Sequence, residues 1–152
     1  MFSIDTSALI DAWHRDYRPK VFETLWDRMA GLITTGQLMA SMTVRGELDI
    51  QEDTLAEWAK GNVDLFVEDD DEVQTRVRAI LRDWPRPTDF TRFLKGADPF
   101  VIALAQCRKF AVVASEKASG SLDHPKIPDA CRHYGVRCIR TMDMFEELGW
   151  RF

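Results

Sequence analysis

The sequence predicts an α/β fold, in which helices alternate with the strands of a parallel sheet of four or five strands. Short apolar segments of strand length recur between segments whose apolar residues are spaced three or four apart, as in amphipathic helices. One segment, 110–114, is apolar throughout, which is typical of a central parallel strand covered on both faces. A chain of 152 residues suffices for one hydrophobic core, so we expect a single domain over residues 1–152.

The first half of the chain is predicted to contain two strands and four helices. Residues 2–4 are predicted to form a short apolar strand. Thr6 and Ser7, which follow Asp5, are residue types that cap a helix, so a helix is predicted to begin there. The elements that follow are a helix from Pro19 to Gly36, a strand over 37–40, a helix that Thr43 opens and a helix over 54–60.

The second half continues the alternation. Five consecutive acids, 68–72, precede a helix, and acids at a helix start are favoured by the macrodipole, so we interpret them as a solvated first turn. Pro85 and Pro87 end that helix, and another helix begins at Asp98. The elements that follow are a strand over 110–114, a loop over 117–126, a helix from Pro128 to Gly135, a strand over 136–139 and a helix that Thr141 caps.

Composition narrows the class of protein. The start of the chain lacks a basic leader and no apolar run approaches the length of a membrane span, so we expect a cytoplasmic protein without a membrane partner. Three cysteines at no disulfide spacing fit a reducing compartment. The net charge of −5 disfavours a protein coated with basic charge. Two arginine-rich stretches remain as either nucleic-acid patches or ordinary solvated faces: Arg76, Arg78, Arg82, Arg86, Arg92 with Lys95, and Arg132, Arg137, Arg140 with Arg151.

Four acidic residues are candidates for a shared site. Asp5 follows the first strand and Glu116 follows the central one, and parallel strands present their carboxyl ends at one edge of the sheet. Asp98 begins a helix and Glu47 lies in the first turns of another, so both side chains can reach the same crevice. Singly, Asp98 is also a good helix cap and Glu47 resembles any exposed helical glutamate.

Clustered carboxylates repel one another, and a divalent cation relieves that repulsion. Ligand sets made only of oxygen favour hard ions, so Mg²⁺ or Mn²⁺ is the expected cofactor, held by Asp5, Glu47, Asp98 and Glu116. Such an ion activates water for attack on a phosphodiester, and a second ion could stabilise the leaving oxygen. The hydroxyls of Thr6, Ser7 and Ser115 are placed to orient the carboxylates.

The motifs around these acids resemble those of the PIN-domain family. Residues 3–10, Ser-Ile-Asp-Thr-Ser-Ala-Leu-Ile, resemble its first motif, and 96–105, Gly-Ala-Asp-Pro-Phe-Val-Ile-Ala-Leu-Ala, are similar to its third. Glu47 occupies the middle acidic position. The resemblance implies a PIN-like three-layer α/β/α sandwich and an endoribonuclease that uses Mg²⁺ or Mn²⁺. It also implies likeness to VapC-type toxins of type II toxin–antitoxin systems, which form homodimers and bind a cognate antitoxin.

Two features depart from the best-known PIN toxins. Glu116 stands where PIN domains usually carry Asp or Asn, and its longer side chain could move or remove a second metal site. The segment 126–131, Lys-Ile-Pro-Asp-Ala-Cys, resembles a less characterised PIN-like branch. Within it, Asp129 could approach the metal edge or contact its helix dipole.

Other functions are consistent with parts of the sequence. A PIN-fold module that cleaves nothing, and binds RNA or protein through its arginines, is the main alternative. A zinc site of Cys131, His133 and Cys138 would lack paired cysteine spacing. A receiver-like module would need a second acid at Thr6, and a dehalogenase-type phosphatase would need Asp at Ser7.

Overall fold

The computed structural model describes residues 1–85 and 92–152, and it confirms the predicted α/β fold. The central sheet is parallel throughout and is flanked by helices, as in a three-layer α/β/α sandwich. Its five strands lie in the order β3-β2-β1-β4-β5. They are β1 (Phe2–Ile4), β2 (Leu38–Ser41), β3 (Phe66–Val67), β4 (Ala111–Val113) and β5 (Cys138–Ile139).

The helices alternate with the strands as the sequence predicts. A π-helical turn, Ala12–Asp16, continues the first helix, and a 3₁₀ turn, Val63–Leu65, precedes β3. The helices are α1 (Thr6–Asp11), α2 (Glu23–Thr34), α3 (Met42–Asp49), α4 (Thr54–Gly61), α5 (Asp71–Asp83), α6 (Arg92–Lys95), α7 (Asp98–Arg108), α8 (Ile127–His133) and α9 (Thr141–Glu147). No helix among residues 1–85 and 92–152 is long and apolar enough to cross a membrane.

Several boundaries differ from the predictions. Asp5, rather than Thr6 or Ser7, caps α1, and Ser41, rather than Thr43, caps α3. The two-residue strand β3 and the four-residue helix α6 were not predicted, because elements this short show no hydrophobic period. The acidic run begins α5 as predicted, since Asp70 caps the helix by accepting a hydrogen bond from the Val73 amide at 3.0 Å and Asp71 and Glu72 are exposed in the first turn. Asp69 differs from the prediction, because it is half-buried and accepts a hydrogen bond from the Ser41 hydroxyl at 2.9 Å.

The order of the strands reverses beside β1. The chain places β2 and then β3 on one side of β1, and it returns to place β4 and then β5 on the other side. At this junction Ile4 pairs with Val113, and the amide of Asp5 donates to the Val113 carbonyl at 2.9 Å. Crevices at such reversals, outside the carboxyl ends of the strands, are where open α/β sheets bind ligands.

Helix α7 supports this edge of the sheet from within the core. Val101, Ile102 and Leu104 are fully buried, and α7 packs against α5 and against strands β1, β2 and β4. The Ser3 hydroxyl donates to the Val101 carbonyl at 3.1 Å, which fixes α7 against β1. Each of these aliphatic side chains contributes about 1.5 to 3 kcal/mol on burial. The first residue of α7, Asp98, is therefore carried by a helix that the core holds on several sides.

Part of the first arginine stretch lies on the exposed surface of α5. Arg76, Arg78 and Arg82 are exposed, and Arg82 pairs with its neighbour Asp83 at 2.7 Å. Arg86 and Pro87 lie outside the described residues, as does the side chain of Arg92. Of the second stretch, Arg132, Arg137, Arg140 and Arg151 are also exposed.

Candidate functional site

Asp5 is a buried carboxylate at the end of the central strand. Its backbone is extended, and its side chain caps α1 by accepting the Ser7 amide at 2.9 Å. The Ser7 hydroxyl donates to the same oxygen at 2.5 Å. Asp5 is 3% exposed, so its charge is largely removed from water. The short turn from strand to helix thus sets both the position and the environment of this acid.

All four predicted carboxylates line one cleft of about 450 Å³ at this edge of the sheet. They come from separate segments: the end of β1, helix α3, the start of α7 and the loop after β4. Thr6 and Ser7 line the same cleft. Its other walls are Ile10, Asp11, Ile50, Gln51, Phe93, Gly96, Pro125 and Lys126. The structure therefore brings together acids that lie up to 111 positions apart in the sequence.

Glu47 is held by donors from two other elements. Its Oε2 accepts a hydrogen bond from the Thr6 hydroxyl at the start of α1, and its Oε1 accepts the Ala97 amide at 3.0 Å. Both contacts cross long distances in the sequence, since Thr6 and Ala97 lie 41 and 50 positions away. Glu47 is therefore a fixed, half-buried group and not an ordinary exposed helical glutamate.

Asp98 is the first residue of α7 and lines the cleft, half-buried. The helix cap is Ala97, whose side chain makes no capping bond, so Asp98 does not serve as the N-cap. Pro99 follows it in the first turn, where its fixed φ favours helix initiation. A negative charge is also favourable there because the helix dipole is positive at this end.

Glu116 reaches the cleft from the loop after β4. Its Oε2 accepts the Ile127 amide at 3.2 Å, and its Oε1 lies 3.7 Å from Lys126 Nζ. The preceding residue, Ser115, is bound to α1, where its hydroxyl donates to the Ser7 carbonyl at 3.1 Å. The longer side chain of Glu116 therefore spans from the end of β4 to the start of α8.

Asp11 is an acid of the cleft that the sequence analysis missed. It lines the cleft from α1, accepts the Ser115 hydroxyl at 2.5 Å and pairs with Arg15 at 3.0 Å. The available signal was helical spacing, because Asp11 follows Ser7 by four positions and so lies on the same helix face. Asp11 is thus a fifth acid of the cleft, held by Ser115 and Arg15.

Burial and repulsion by neighbouring carboxylates make Asp5 a weaker acid than an ordinary aspartate. Removal from water raises the pKa of Asp5 above its ordinary value to about 6, and the negative charges of Glu116 and Glu47 add to the rise. The hydrogen bonds from Ser7 oppose it without cancelling it. The carboxylates therefore interact electrostatically, and a cation among them would lower the cost of ionising Asp5.

The donor chemistry of the cleft fits a hard divalent cation, since its candidate ligands are carboxylate oxygens. Among residues 1–85 and 92–152, however, no three histidine, cysteine or acidic side chains form a ready-made group for a metal ion. Protein donors engage the acids instead: Ser7 binds Asp5, Thr6 binds Glu47, and the Ile127 amide binds Glu116. Binding a cation would thus require these carboxylates to reorient toward one another.

Asp129 lies outside the cleft and organises the loop beside it. Its Oδ2 accepts the amides of Ser119 and Lys126, both at 2.8 Å, and the Ser119 hydroxyl at 2.9 Å. Its Oδ1 accepts the Gly120 amide at 2.9 Å. Desolvation alone would raise the pKa of Asp129, but these bonds outweigh it and the pKa lies below its ordinary value. Asp129 lies in the first turn of α8, as predicted, and does not line the cleft, and its carboxylate is also held by amides of the preceding loop.

Among residues 1–85 and 92–152, Cys131, His133 and Cys138 do not form a ready-made group for a zinc ion. His133 is exposed, and its ring packs on the rings of Trp84 and Tyr134. Cys131 is fully buried and Cys138 is half-buried. The interaction between their thiols raises the pKa of Cys131 and lowers that of Cys138.

Comparison with known proteins identifies a family without assigning an activity. A family model described as a domain of unknown function (DUF4411) matches residues 2–152, almost the whole chain. No curated protein matches the sequence.

Proposed function

The chain belongs to the DUF4411 family, and we propose that it is a metal-dependent endoribonuclease that hydrolyses RNA phosphodiester bonds with Mg²⁺ or Mn²⁺. The proposal is based mainly on the position of four carboxylates. Asp5, Glu47, Asp98 and Glu116, drawn from four segments, line one cleft at the reversal of strand order. Carboxylates that converge on a ligand-binding edge repel one another, and a bound cation relieves that repulsion.

The four carboxylates would hold the cation, and hydrogen bonds from Thr6 and Ser7 would orient two of them. When bound, a divalent cation polarises the phosphate and makes water a stronger nucleophile. Thr6 fixes the orientation of Glu47, and Ser7 fixes that of Asp5. Removal of a residue that orients a metal ligand commonly lowers metal affinity or activity by about tenfold to a hundredfold.

The walls of the cleft suit a nucleic-acid strand. Ile10 and Ile50 provide apolar surface beside the carboxylates, and Ile50 is 80% exposed. An exposed aliphatic wall next to a polar centre can receive a base while the phosphate faces the acids. The choice of RNA over other phosphodiesters rests on the likeness of residues 3–10 and 96–105 to PIN-domain motifs.

The test is Mn²⁺-dependent cleavage of a panel of single-stranded and structured RNAs. We expect wild type to cleave at least one RNA, and Asp98→Asn to lose at least a hundredfold in rate while keeping the wild-type melting temperature. Asp64→Asn is the matched control, because Asp64 is exposed and does not line the cleft. Equal residual cleavage by wild type and Asp98→Asn would overturn the assignment. RNA binding without any cleavage would instead favour a binding module.

The resemblance to VapC-type proteins extends the proposal to a biological role. We propose a cytoplasmic toxin of a type II system that forms a homodimer and is blocked by a cognate antitoxin. Induced expression of the wild type in a bacterial host should then arrest growth, and Asp98→Asn should not. Normal growth with abundant soluble wild type, expressed without a partner, would contradict the toxin role but not the nuclease activity.

A further inference from the structure

Lys126 brings a positive charge to the acidic cleft. Its side chain lines the cleft and is 45% exposed, and its Nζ lies 3.7 Å from Glu116 Oε1. Among the cleft-lining residues whose side chains the structure describes, Lys126 is the only lysine or arginine. It is also the first residue of the 126–131 segment, to which the proposed metal chemistry gives no role.

The backbone at Lys126 is fixed from two directions. Its amide donates to Asp129 Oδ2 at 2.8 Å, and the next amide, that of Ile127, donates to Glu116 Oε2 at 3.2 Å. Asp129 is buried, and its carboxylate also accepts hydrogen bonds from the amides of Ser119 and Gly120. One carboxylate therefore holds both ends of the turn that carries Lys126 to the cleft.

The pair between Lys126 and Glu116 is too weak to explain this arrangement as stabilisation. A half-exposed ion pair with a separation of 3.7 Å contributes about 0 to 1 kcal/mol. Lysine carries three N–H donors, and a contact of this length leaves them able to bind another anion. An RNA strand that approaches four carboxylates meets net repulsion, and a cation at the wall of the cleft offsets it.

We propose that Lys126 binds a phosphate of the RNA strand in the cleft, and that Asp129 is a positioning residue that holds Lys126 there. This inference rests on the proposed nuclease function and names the group that recognises the backbone of its substrate. Lys126 binds phosphate as a mobile point charge, so arginine can replace it in part. Contact with the backbone makes the recognition independent of base sequence.

The experiment measures kcat and KM of Mn²⁺-dependent cleavage of a fluorescent single-stranded RNA for Lys126→Met, Lys126→Arg and Lys20→Met. Lys20 is exposed and lies outside the cleft, so Lys20→Met removes the same charge elsewhere. We expect Lys126→Met to raise KM about tenfold. It should also reduce the slope of log binding constant against log salt concentration by about 0.7, the value for one phosphate contact on a single strand. Lys126→Arg should recover most of the loss, and Lys20→Met should match wild type.

A double-mutant cycle between Asp129→Asn and Lys126→Met tests the role of Asp129. Asp129→Asn keeps an acceptor for the loop amides but weakens the hold on Lys126, and we expect it to raise KM in the wild-type background but not in Lys126→Met. Additive effects in the double variant would show that Asp129 does not act through Lys126. Melting temperatures identify any variant that fails to fold, and for that variant Asp129→Glu replaces Asp129→Asn.

The outcomes separate this inference from the nuclease proposal. If wild type cleaves in an Asp98-dependent manner and Lys126→Met retains wild-type KM and salt dependence, the phosphate role is wrong and the nuclease proposal stands. If no variant cleaves, the nuclease proposal fails, and fluorescence anisotropy with the same RNA decides the phosphate role. Weaker binding by Lys126→Met than by Lys20→Met then supports it, and equal binding overturns it.

Discussion

The carboxylate of Glu47 accepts a 3.0 Å hydrogen bond from the backbone amide of Ala97, the residue that precedes Asp98. This contact ties helix α3 to the first turn of α7. Because the other oxygen of Glu47 accepts the Thr6 hydroxyl, a single side chain connects three of the segments that line the cleft. The position of Asp98 relative to Asp5 is thereby set by side-chain contacts as well as by the sheet.

Substitution of Asp5 by Asn should stabilise the protein when no divalent cation is present. The pKa of Asp5 is raised to about 6, so the folded state holds its proton more tightly than the unfolded state does. Wild-type stability contributed by this group is therefore present at low pH and falls as pH rises from about 4 to 6. Asn keeps the acceptor that caps α1, so at pH 8 we expect a gain of about 2 to 3 kcal/mol in the free energy of unfolding.

Urea denaturation in EDTA at pH 4 and pH 8 checks this prediction. The gain from Asp5→Asn should vanish near pH 4, where the folded wild type is already protonated at this position. Asp64→Asn, at an exposed site, should change stability by less than about 0.5 kcal/mol at either pH. A loss of stability in Asp5→Asn at pH 8 would contradict the burial of an ionised Asp5.

Substitution of Asp129 by Ala should destabilise the loop that precedes α8. The change leaves three backbone amides and one hydroxyl without their acceptor, and we expect a loss of about 2 to 4 kcal/mol at pH 7. The pKa of Asp129 is lowered in the folded state, so its contribution is present above about pH 4 and is lost as pH falls below that. Thermal melting at pH 7 and pH 3 measures the difference, which should shrink at the lower pH. A loss that is equal at both values would show that the charge of Asp129 is not involved.

Substitution of Ile50 by Ala should weaken substrate binding without weakening the fold. Ile50 lines the cleft but is 80% exposed, so its removal should change the free energy of unfolding by less than about 0.5 kcal/mol. If its surface receives a base of the RNA, KM should rise about threefold to tenfold with kcat nearly unchanged. Val63→Ala, which removes an exposed aliphatic residue outside the cleft, should leave both constants at wild-type values. An unchanged KM in Ile50→Ala would exclude the apolar wall from binding.

Much of the fold was predictable because its central elements carry unambiguous patterns. The apolar segment 110–114 and the strand 2–4 identified β4 and β1, and the general geometry of parallel sheets then placed Asp5 and Glu116 at one edge. The strand β3 was missed because two residues cannot show a period, and its place at the edge of the sheet depends on pairing with β2 alone.

The site was predictable in its acids but not in the contacts that hold them. The placement of Glu47 rested mostly on resemblance, because a local sequence pattern cannot indicate a hydrogen bond to an amide 50 positions away. Asp11 was overlooked because its partner Ser115 is distant in the sequence, although its spacing from Ser7 placed it on the same helix face. The first-turn position of Asp129 suggested a dipole contact, whereas its hydrogen bonds to the preceding loop depend on tertiary folding.

The central claim is that Asp5, Glu47, Asp98 and Glu116 form one divalent-cation site, and titration of Mn²⁺ followed by electron paramagnetic resonance tests it most directly. We expect saturable binding to the wild type at neutral pH, at least tenfold weaker binding to Glu47→Gln and Asp98→Asn, and wild-type affinity for Asp64→Asn. Equal affinity in wild type, Glu47→Gln and Asp98→Asn, or no saturable binding to the wild type, would contradict it.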